Sequence, residues 1–156
     1  MEGTKTKELS HAYNYIASSE DVIRVVLVDS REAMREGLRQ MLSGDDSIKV
    51  IGEAQNAKEA LSQIQKLYPD IVILDAEIGG AEGIKVVNQI NQSLNHVGII
   101  VLNDERNFLV PAIENGASAF LSRDIGRNEL IAAIRIIYLW HSILFQDEHH
   151  FTLVKL

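Results

Sequence analysis

The fold of this 156-residue chain is decided by one stretch, PDIVILDAEIGGAEG at residues 69–83. Pro69 ends the helical pattern that precedes it, because proline cannot continue a helix and holds the residue before it in extended geometry. The apolar run at 71–74, IVIL, has the composition of a buried strand. Asp75 follows that run directly, and a carboxylate at the end of a buried strand is rarely placed there for packing. The stretch therefore predicts a strand that delivers a carboxylate to a functional site.

Four further apolar runs rich in Val and Ile flank this strand, and the five runs begin 21 to 26 residues apart. The residues between the runs show the apolar spacing of amphipathic helices. Strands that alternate with helices at this period predict βα units and a parallel sheet. We therefore expect an α/β, doubly wound (βα)5 domain with helices on both faces of a parallel sheet. The five runs are IRVVLV (23–28), KVIGEA (49–54), IVIL (71–74), VGIIVL (97–102) and SAFL (118–121).

Composition restricts the classes of function. The 22 Asp and Glu residues outnumber the 15 Lys and Arg residues, and the formal charge of −7 gives no general footprint for nucleic acid or an anionic membrane. The sequence has no cysteine, which excludes thiol catalysis, disulfides and Cys-ligated metals. Residues 1–21 are polar and unlike a secretory signal, and Arg135 and His141 interrupt the apolar segment 130–145. We expect a cytoplasmic protein without a membrane span, with one domain over 22–145 between tails at 1–21 and 146–156.

Polar side chains follow the predicted strands at the edge where doubly wound sheets bind their ligands. Asp29 and Asp75 follow the first and third strands, which are neighbours if the strand order is 2-1-3-4-5. Asn103 and Asp104 follow the fourth strand, and Arg123 follows the fifth. Two adjacent carboxylates are costly without a cation or proton between them, and Mg²⁺ is the usual cation for oxygen ligands. The sequence predicts an acidic pocket in which a cationic side chain is able to neutralise a phosphoryl group.

Four motifs then occur in order: IRVVLVDSREAMREGLRQML (23–42), IGEAQNAKEAL (51–61), PDIVILDAEIGGAEG (69–83) and AIENGASAFLSRD (112–124). With these motifs, residues 22–140 resemble the receiver domain of two-component response regulators, most closely the NarL/FixJ type. The resemblance covers about three quarters of the chain. It implies a flavodoxin-like sheet with the strand order 2-1-3-4-5. It also implies a signalling domain rather than an enzyme, with a histidine kinase or a phosphotransfer protein as its partner.

The resemblance assigns roles to five positions. Asp75 matches the aspartate that accepts phosphate, and Asp29 matches the first residue of the acidic pair that holds Mg²⁺. Arg123 falls where the family has its phosphate-contacting lysine. Asn103 falls where the family has its switch threonine or serine, and Phe120 falls where it has its switch aromatic residue.

Several positions depart from the family pattern. Ser30 stands in place of the second acid, and a hydroxyl is a poor ligand for Mg²⁺. Arg123 replaces a compact ammonium group with a planar guanidinium, and Asn103 is longer than threonine. Asp104 places a carboxylate where a small residue leaves room for the phosphoryl group, and Gly79 replaces the proline of the loop after the acceptor. We therefore expect a degenerate pocket.

Five pocket residues have more than one interpretation. Phe120 is either a core residue or the switch aromatic residue, and Asp104 is either a solvated loop acid or a replacement for the lost acid. Glu77 is either a solvated loop acid or the replacement for the lost acid, in which case Asp29, Asp75 and Glu77 hold the metal. Ser30 is either a pocket residue or the cap of the first helix. Arg123 is either a phosphate contact or a fixed ion-pair partner of Asp75.

The last two helices are unusual. Pro111 falls inside the expected fourth helix and predicts a short or distorted helix, because proline is tolerated only in the first turn. In the fifth helix, 13 of the 18 residues from 128 to 145 are apolar and occur on all sides. We expect the face that does not pack on the sheet to form a dimer or partner interface, unless the C-terminal tail covers it. The candidate interface residues are Ile136, Leu139, Trp140 and Ile143.

These features favour a stand-alone, atypical receiver that acts as a phosphorylation-independent or weakly phosphorylatable protein-interaction or dimerisation module. The alternative is a conventional Mg²⁺-dependent switch that a histidine kinase phosphorylates on Asp75. A lesser alternative is a flavodoxin-like domain that binds a small ligand, although residues 29–32, DSRE, are unlike a phosphate-binding loop. The residues after the receiver are too few for the helix-turn-helix of the NarL/FixJ type, so we expect no direct DNA binding.

Overall fold

The computed structural model describes residues 22–80 and 82–146, and for residues 143–146 it describes the backbone alone. The predicted tail at 1–21 and residues 147–156 of the predicted C-terminal tail lie outside the described residues. Strands and helices alternate along the described chain, which confirms the βα pattern. The strands are β1 (Ile23–Val28), β2 (Ile48–Ala54), β3 (Ile71–Asp75), β4 (Gly98–Leu102) and β5 (Ala119–Leu121). The helices are α1 (Glu32–Leu42), α2 (Ala57–Leu67), α3 (Gly83–Ser93), α4 (Leu109–Glu114) and α5 (Arg127–Gln146).

The strands form one parallel sheet with the order β2-β1-β3-β4-β5, which confirms the predicted topology. Each predicted strand lies within one residue of the observed strand at both ends. The register pairs Val28 of β1 with Leu74 of β3, and Asp75 of β3 with Leu102 of β4. The carboxyl ends of these three strands are therefore level, and the residues that follow them meet at one edge of the sheet.

Two apolar cores lie on opposite faces of the sheet, because successive side chains of a strand point in opposite directions. Val26 and Val28 of β1 belong to one core, which α2, α3 and α4 cover. Val25 and Leu27 belong to the other core, which α1 and α5 cover. Strands β3 and β4 are buried along their whole length. This burial on both faces explains why their sequences are apolar without alternation.

Helix α4 has only six residues and follows a 3₁₀ turn at Arg106–Phe108. Pro111 is the third residue of the helix. In that first turn the missing N–H of proline leaves no intrahelical hydrogen bond unmade. The short fourth helix that Pro111 predicts is therefore confirmed.

Gly83 begins α3 against the backbone of the loop that follows β3. A Cβ atom at this position would lie 2.5 Å from the carbonyl oxygen of Ala76 and 2.7 Å from that of Asp75. Only glycine allows this approach, since both neighbours are backbone atoms. The contact holds the carboxyl end of β3, and with it Asp75, against the start of α3.

Candidate functional site

Three polar side chains are buried among the described residues, and all three lie at the carboxyl edge of the sheet. Asp29 follows β1, Asp75 ends β3 and Asn103 follows β4. Because these strands are adjacent in the sheet, the three side chains form one cluster. The prediction that Asp29 and Asp75 lie side by side, with Asn103 next to them, agrees with this geometry.

The carboxylate of Asp75 accepts hydrogen bonds from several directions. Its Oδ1 accepts from Arg123 Nη2 at 2.9 Å, from Asn103 Nδ2 at 3.2 Å and from the backbone N–H of Glu77 at 3.3 Å. Its Oδ2 lies 3.5 Å from Nη2 of Arg31. The Asp75 side chain is only 6% exposed, so these groups surround a carboxylate that water barely reaches.

Arg123 joins two of the predicted pocket acids. Its Nη2 also donates to Glu77 Oε2 at 2.6 Å. Burial alone lowers the pKa of the Arg123 guanidinium, but the hydrogen bonds to Glu77 and Asp75 outweigh burial and raise the pKa above its usual value. The guanidinium is thus charged at every pH at which the domain folds. Its Nε is buried and finds no hydrogen-bond partner among the described residues.

Arg31 is the pocket residue that the sequence interpretation missed. Its Nε donates to Asp29 Oδ1 at 3.1 Å and its Nη2 donates to Asp29 Oδ2 at 3.0 Å. Its backbone N–H donates to the same Asp29 Oδ1 at 2.8 Å. The side-chain hydrogen bond to Asp29 raises the pKa of Arg31, against burial, which lowers it. One feature of the sequence could have indicated this role. Arg31 stands two residues after the strand-ending Asp29 and directly after Ser30, where the family has its second acid.

Ser30 is exposed, and the residue at the N-cap position of α1 is Arg31, without a side-chain cap. The interpretation of Ser30 as the cap of the first helix is therefore wrong. The carboxylate of Asp29 accepts the free N–H at this end instead, because it precedes the helix at the spacing of an Asx turn.

Asp104 and Asn103 each organise a loop. Asp104 Oδ1 accepts from Ser122 Oγ at 2.9 Å and from the backbone N–H of Arg123 at 3.0 Å, so it ties the loop after β4 to the loop after β5. Asn103 Oδ1 accepts the backbone N–H of Glu105 at 2.8 Å. Phe120 is half-buried in β5 and packs against the core. These contacts hold Arg123 at the mouth of the pocket.

Arg35 of α1 supports the backbone of the pocket. Arg35 Nη1 donates to the backbone carbonyl of Asp29 at 2.6 Å, and its Nε donates to Glu53 of β2 at 3.1 Å. Glu53 also accepts from Arg39 at 2.8 Å. These hydrogen bonds and ion pairs fix the backbone of Asp29 relative to α1 and β2.

The predicted interface helix α5 buries one face, formed by Leu130, Ile134 and Ile137, against the sheet. Ile136 is 64% exposed and Trp140 is 41% exposed on another side of the helix. Leu139 is half-buried, and the side chain of Ile143 lies outside the described residues. Helix α4 adds the exposed side chains of Leu109, Val110 and Ile113. No described helix combines the length and the apolar content that a membrane crossing requires.

A family model described as the response regulator receiver domain matches residues 25–135. The chain therefore belongs to the response regulator receiver domain family, as its motifs predict. Receiver domains are signalling proteins of two-component systems rather than enzymes, and they interact with histidine kinases or phosphotransfer proteins.

Curated relatives match the same part of the chain. Response regulator UvrY of Escherichia coli (strain K12) is 33% identical over 128 residues, which cover 81% of this chain and 59% of UvrY. Transcriptional regulatory protein LiaR of Bacillus subtilis (strain 168) is 35% identical over 116 residues, which cover 73% of this chain and 55% of LiaR. This chain thus spans little more than half the length of these relatives.

Solved structures agree with the fold. The signal receiver domain of NarL from Mycobacterium tuberculosis is 29% identical, with a TM-score of 0.71 over 76% of this chain and 97% of that domain. A receiver domain from Clostridium thermocellum has a TM-score of 0.72 at 19% identity, over 80% of this chain and all of that chain. The second match shows the shared fold alone.

Receiver domains generally bind Mg²⁺ at the phosphorylation site. Here the oxygens of Asp29, Asp75 and Glu77 accept hydrogen bonds from Arg31 and Arg123. Within the described part of the chain, no group of three or more Asp, Glu, His or Cys side chains is arranged to hold a metal ion. The arrangement does not fit a divalent cation, because a guanidinium group repels it and uses the same oxygen lone pairs. This chemistry opposes the predicted metal site at Asp29, Asp75 and Glu77, and a Mg²⁺ titration tests it.

Proposed function

We propose that this domain is an atypical receiver that acts in two-component signalling as a phosphorylation-independent or weakly phosphorylatable interaction and dimerisation module. The ion pair between Arg123 and Asp75, at 2.9 Å, supports this proposal most strongly. The positive charge that a phosphoryl group would attract is already in contact with the unmodified acceptor.

A switch requires contacts that differ between its two states, because a modification shifts an equilibrium only by its differential interactions. In the family pattern, a cationic side chain near the acceptor contacts the phosphoryl group. Here Arg123 contacts Asp75 and Glu77 before any transfer. Phosphorylation would thus create little new attraction, and it would have to displace Glu77 from the same Nη2 atom.

The contacts of Asp75 also weaken it as a nucleophile. Attack on phosphorus requires a lone pair of a carboxylate oxygen, and charge-assisted hydrogen bonds stabilise that lone pair. Oδ1 accepts from Arg123, Asn103 and the loop backbone, and Oδ2 faces Arg31. We therefore expect slow or negligible transfer to Asp75.

The test is incubation with a small acyl phosphate and Mg²⁺, followed by intact-mass measurement. Asp75→Asn removes the acceptor, and Asp46→Asn, at an exposed position, is the matched control. We expect at most a minor phosphorylated fraction that Asp75→Asn abolishes. A fully modified chain whose adduct disappears only in Asp75→Asn would overturn the proposal.

The second candidate is a conventional phosphoacceptor that takes phosphate from a histidine kinase with Mg²⁺. The buried Nε–H of Arg123 favours it, because this donor lacks an acceptor among the described residues. A phosphoryl oxygen on Asp75 would supply one, and a buried donor gains free energy when it is paired. Complete phosphorylation of the chain in the same experiment would favour this candidate.

The interaction surface that we propose is the exposed side of α5, with a second copy of the chain as its partner. Ile136 and Trp140 expose large apolar groups there, and such exposure is typical of an interface. Leu139 and Ile143 remain predicted members of the same surface. Light scattering after size-exclusion chromatography tests it, with a dimer as the expected result and a monomer at high concentration as the contrary one.

A further inference from the structure

The guanidinium of Arg31 lies between the two strand-ending carboxylates of the pocket. Its Nη2 is 3.0 Å from Asp29 Oδ2 and 3.5 Å from Asp75 Oδ2. We infer that Arg31 is a built-in counter-ion, which takes the place of a divalent cation between Asp29 and Asp75 and makes the pocket independent of metal.

The backbone holds Arg31 where this role requires it. The residue has φ −95° and ψ 116° at the start of α1, and its own N–H donates to Asp29. The side chain adds a forked contact through Nε and Nη2 to both oxygens of the same carboxylate. Such bidentate pairs are stronger and more directional than single contacts. A cation that is tethered two residues from its partner also has an advantage over a free ion, because its local concentration is high.

A simpler explanation of the Arg31 contacts is a surface ion pair that adds little to stability. The Arg31 side chain is 44% exposed, and exposed ion pairs contribute little to the stability of a fold. The burial of the two carboxylates argues against this explanation, because the Asp29 and Asp75 side chains are each only 6% exposed. Buried charges require a partner of opposite sign. Arg31 pairs with Asp29 and Asp75, and Arg123 pairs with Asp75 and Glu77, so without Arg31 the buried Asp29 would lose its ion pair.

This inference goes beyond the proposed function. The inference identifies the cation that neutralises the pocket carboxylates, whereas the proposed function concerns whether Asp75 accepts a phosphoryl group. A Mg²⁺ titration contains no phosphodonor, so its outcome does not depend on whether Asp75 accepts phosphate. Metal affinity and metal-dependent stability therefore test the role of Arg31 separately from phosphate transfer.

The experiment compares the parent chain with Arg31→Gln, which keeps a polar side chain but removes the charge. Lys66→Gln is the matched control, because it removes one positive charge from an exposed site on the last turn of α2, at the opposite edge of the sheet. Mg²⁺ alone is titrated by calorimetry, and thermal unfolding is followed with and without Mg²⁺.

We expect Arg31→Gln to have a lower Tm without Mg²⁺, a rise in Tm when Mg²⁺ is added, and a roughly tenfold tighter affinity for Mg²⁺ than the parent. Mg²⁺ should not raise the Tm of the parent or of Lys66→Gln, and Lys66→Gln should bind Mg²⁺ no more tightly than the parent. Equal Mg²⁺ affinity in the parent and Arg31→Gln would overturn the inference.

A second variant decides the case in which Arg31→Gln does not fold with or without Mg²⁺. Arg31→Lys keeps the charge, but a compact ammonium group cannot form the forked contact. We expect its Mg²⁺ affinity to exceed that of the parent. A folded Arg31→Lys chain without any gain would overturn the inference.

Discussion

Arg123 and Asp75 lie 48 residues apart in the sequence, and the Nη2 atom of one is 2.9 Å from the Oδ1 atom of the other. Asp75 ends β3, and Arg123 follows β5, so the sheet brings them together across β4. The same Nη2 atom contacts Glu77 at 2.6 Å. The planar guanidinium of Arg123 thus contacts both the last residue of β3 and the loop that follows this strand.

The first prediction concerns the identity of this cation. Arg123→Lys should raise the fraction of chain that a small acyl phosphate modifies, by several-fold, because a lysine ammonium is more compact and leaves more of the Asp75 carboxylate free. Intact mass after a fixed incubation measures the fraction. Arg106→Lys, at an exposed position, serves as the control, and an equal fraction in both variants would contradict the prediction.

The second prediction concerns the backbone that holds Asp75. Gly83→Ala should lower the free energy of unfolding by roughly 1–3 kcal/mol, because the added Cβ would press on the carbonyl oxygens of Ala76 and Asp75. Gly37→Ala is the matched control, since nothing lies within 4 Å of its Cβ position in α1. That substitution should stabilise the domain by about 0.5–1 kcal/mol, as expected for a helix interior. Urea unfolding measures both, and a stabilised Gly83→Ala would refute the close contact.

The third prediction concerns acid sensitivity. Burial lowers the pKa of His141 below its ordinary value of 6.5, against a hydrogen bond with the backbone of His96 that raises it. The folded state therefore binds this proton less readily than the unfolded state. Stability from this group is fully present above the unfolded pKa and is lost as the pH falls through the lowered pKa of the folded state.

Replacement of the ring should reduce that loss. His141→Gln should unfold with a smaller change in Tm between about pH 7 and pH 5 than the parent chain. The exposed His96 provides the control, because His96→Gln should keep most of the sensitivity. Identical pH profiles for the parent and His141→Gln would show that the half-buried His141 ring does not cause the loss of stability.

The fourth prediction concerns the proposed dimer. Ile136→Glu should shift the chain to monomer, because it places a charge on the most exposed large apolar side chain of the described residues. Ser62→Glu, on an exposed site of α2, adds the same charge away from α5. Light scattering across a concentration series measures both variants. Retained dimer in Ile136→Glu would exclude this face of α5 as the interface.

The sequence by itself determined the fold and the framework of the pocket. Buried parallel strands require continuous apolar runs, and proline at 69 and 111 restricts the backbone in a local way. These constraints act within a few residues, so the strand ends and the short fourth helix were predictable, whereas the strand order was predicted through the resemblance to receiver domains. The same logic placed Asp29, Asp75 and Asn103 at one edge of the sheet.

The tertiary structure alone decided which cations the carboxylates meet. Arg31 turns to Asp29 and Asp75, and Arg123 reaches across to Asp75 and Glu77. An arginine side chain has many rotamers, and its direction depends on the carboxylates that the folded sheet brings within its reach. Those carboxylates come from strands far apart in the sequence. The sequence left two roles open for Arg123, a phosphate contact or an ion pair with Asp75, and only the tertiary structure places its guanidinium 2.9 Å from that carboxylate.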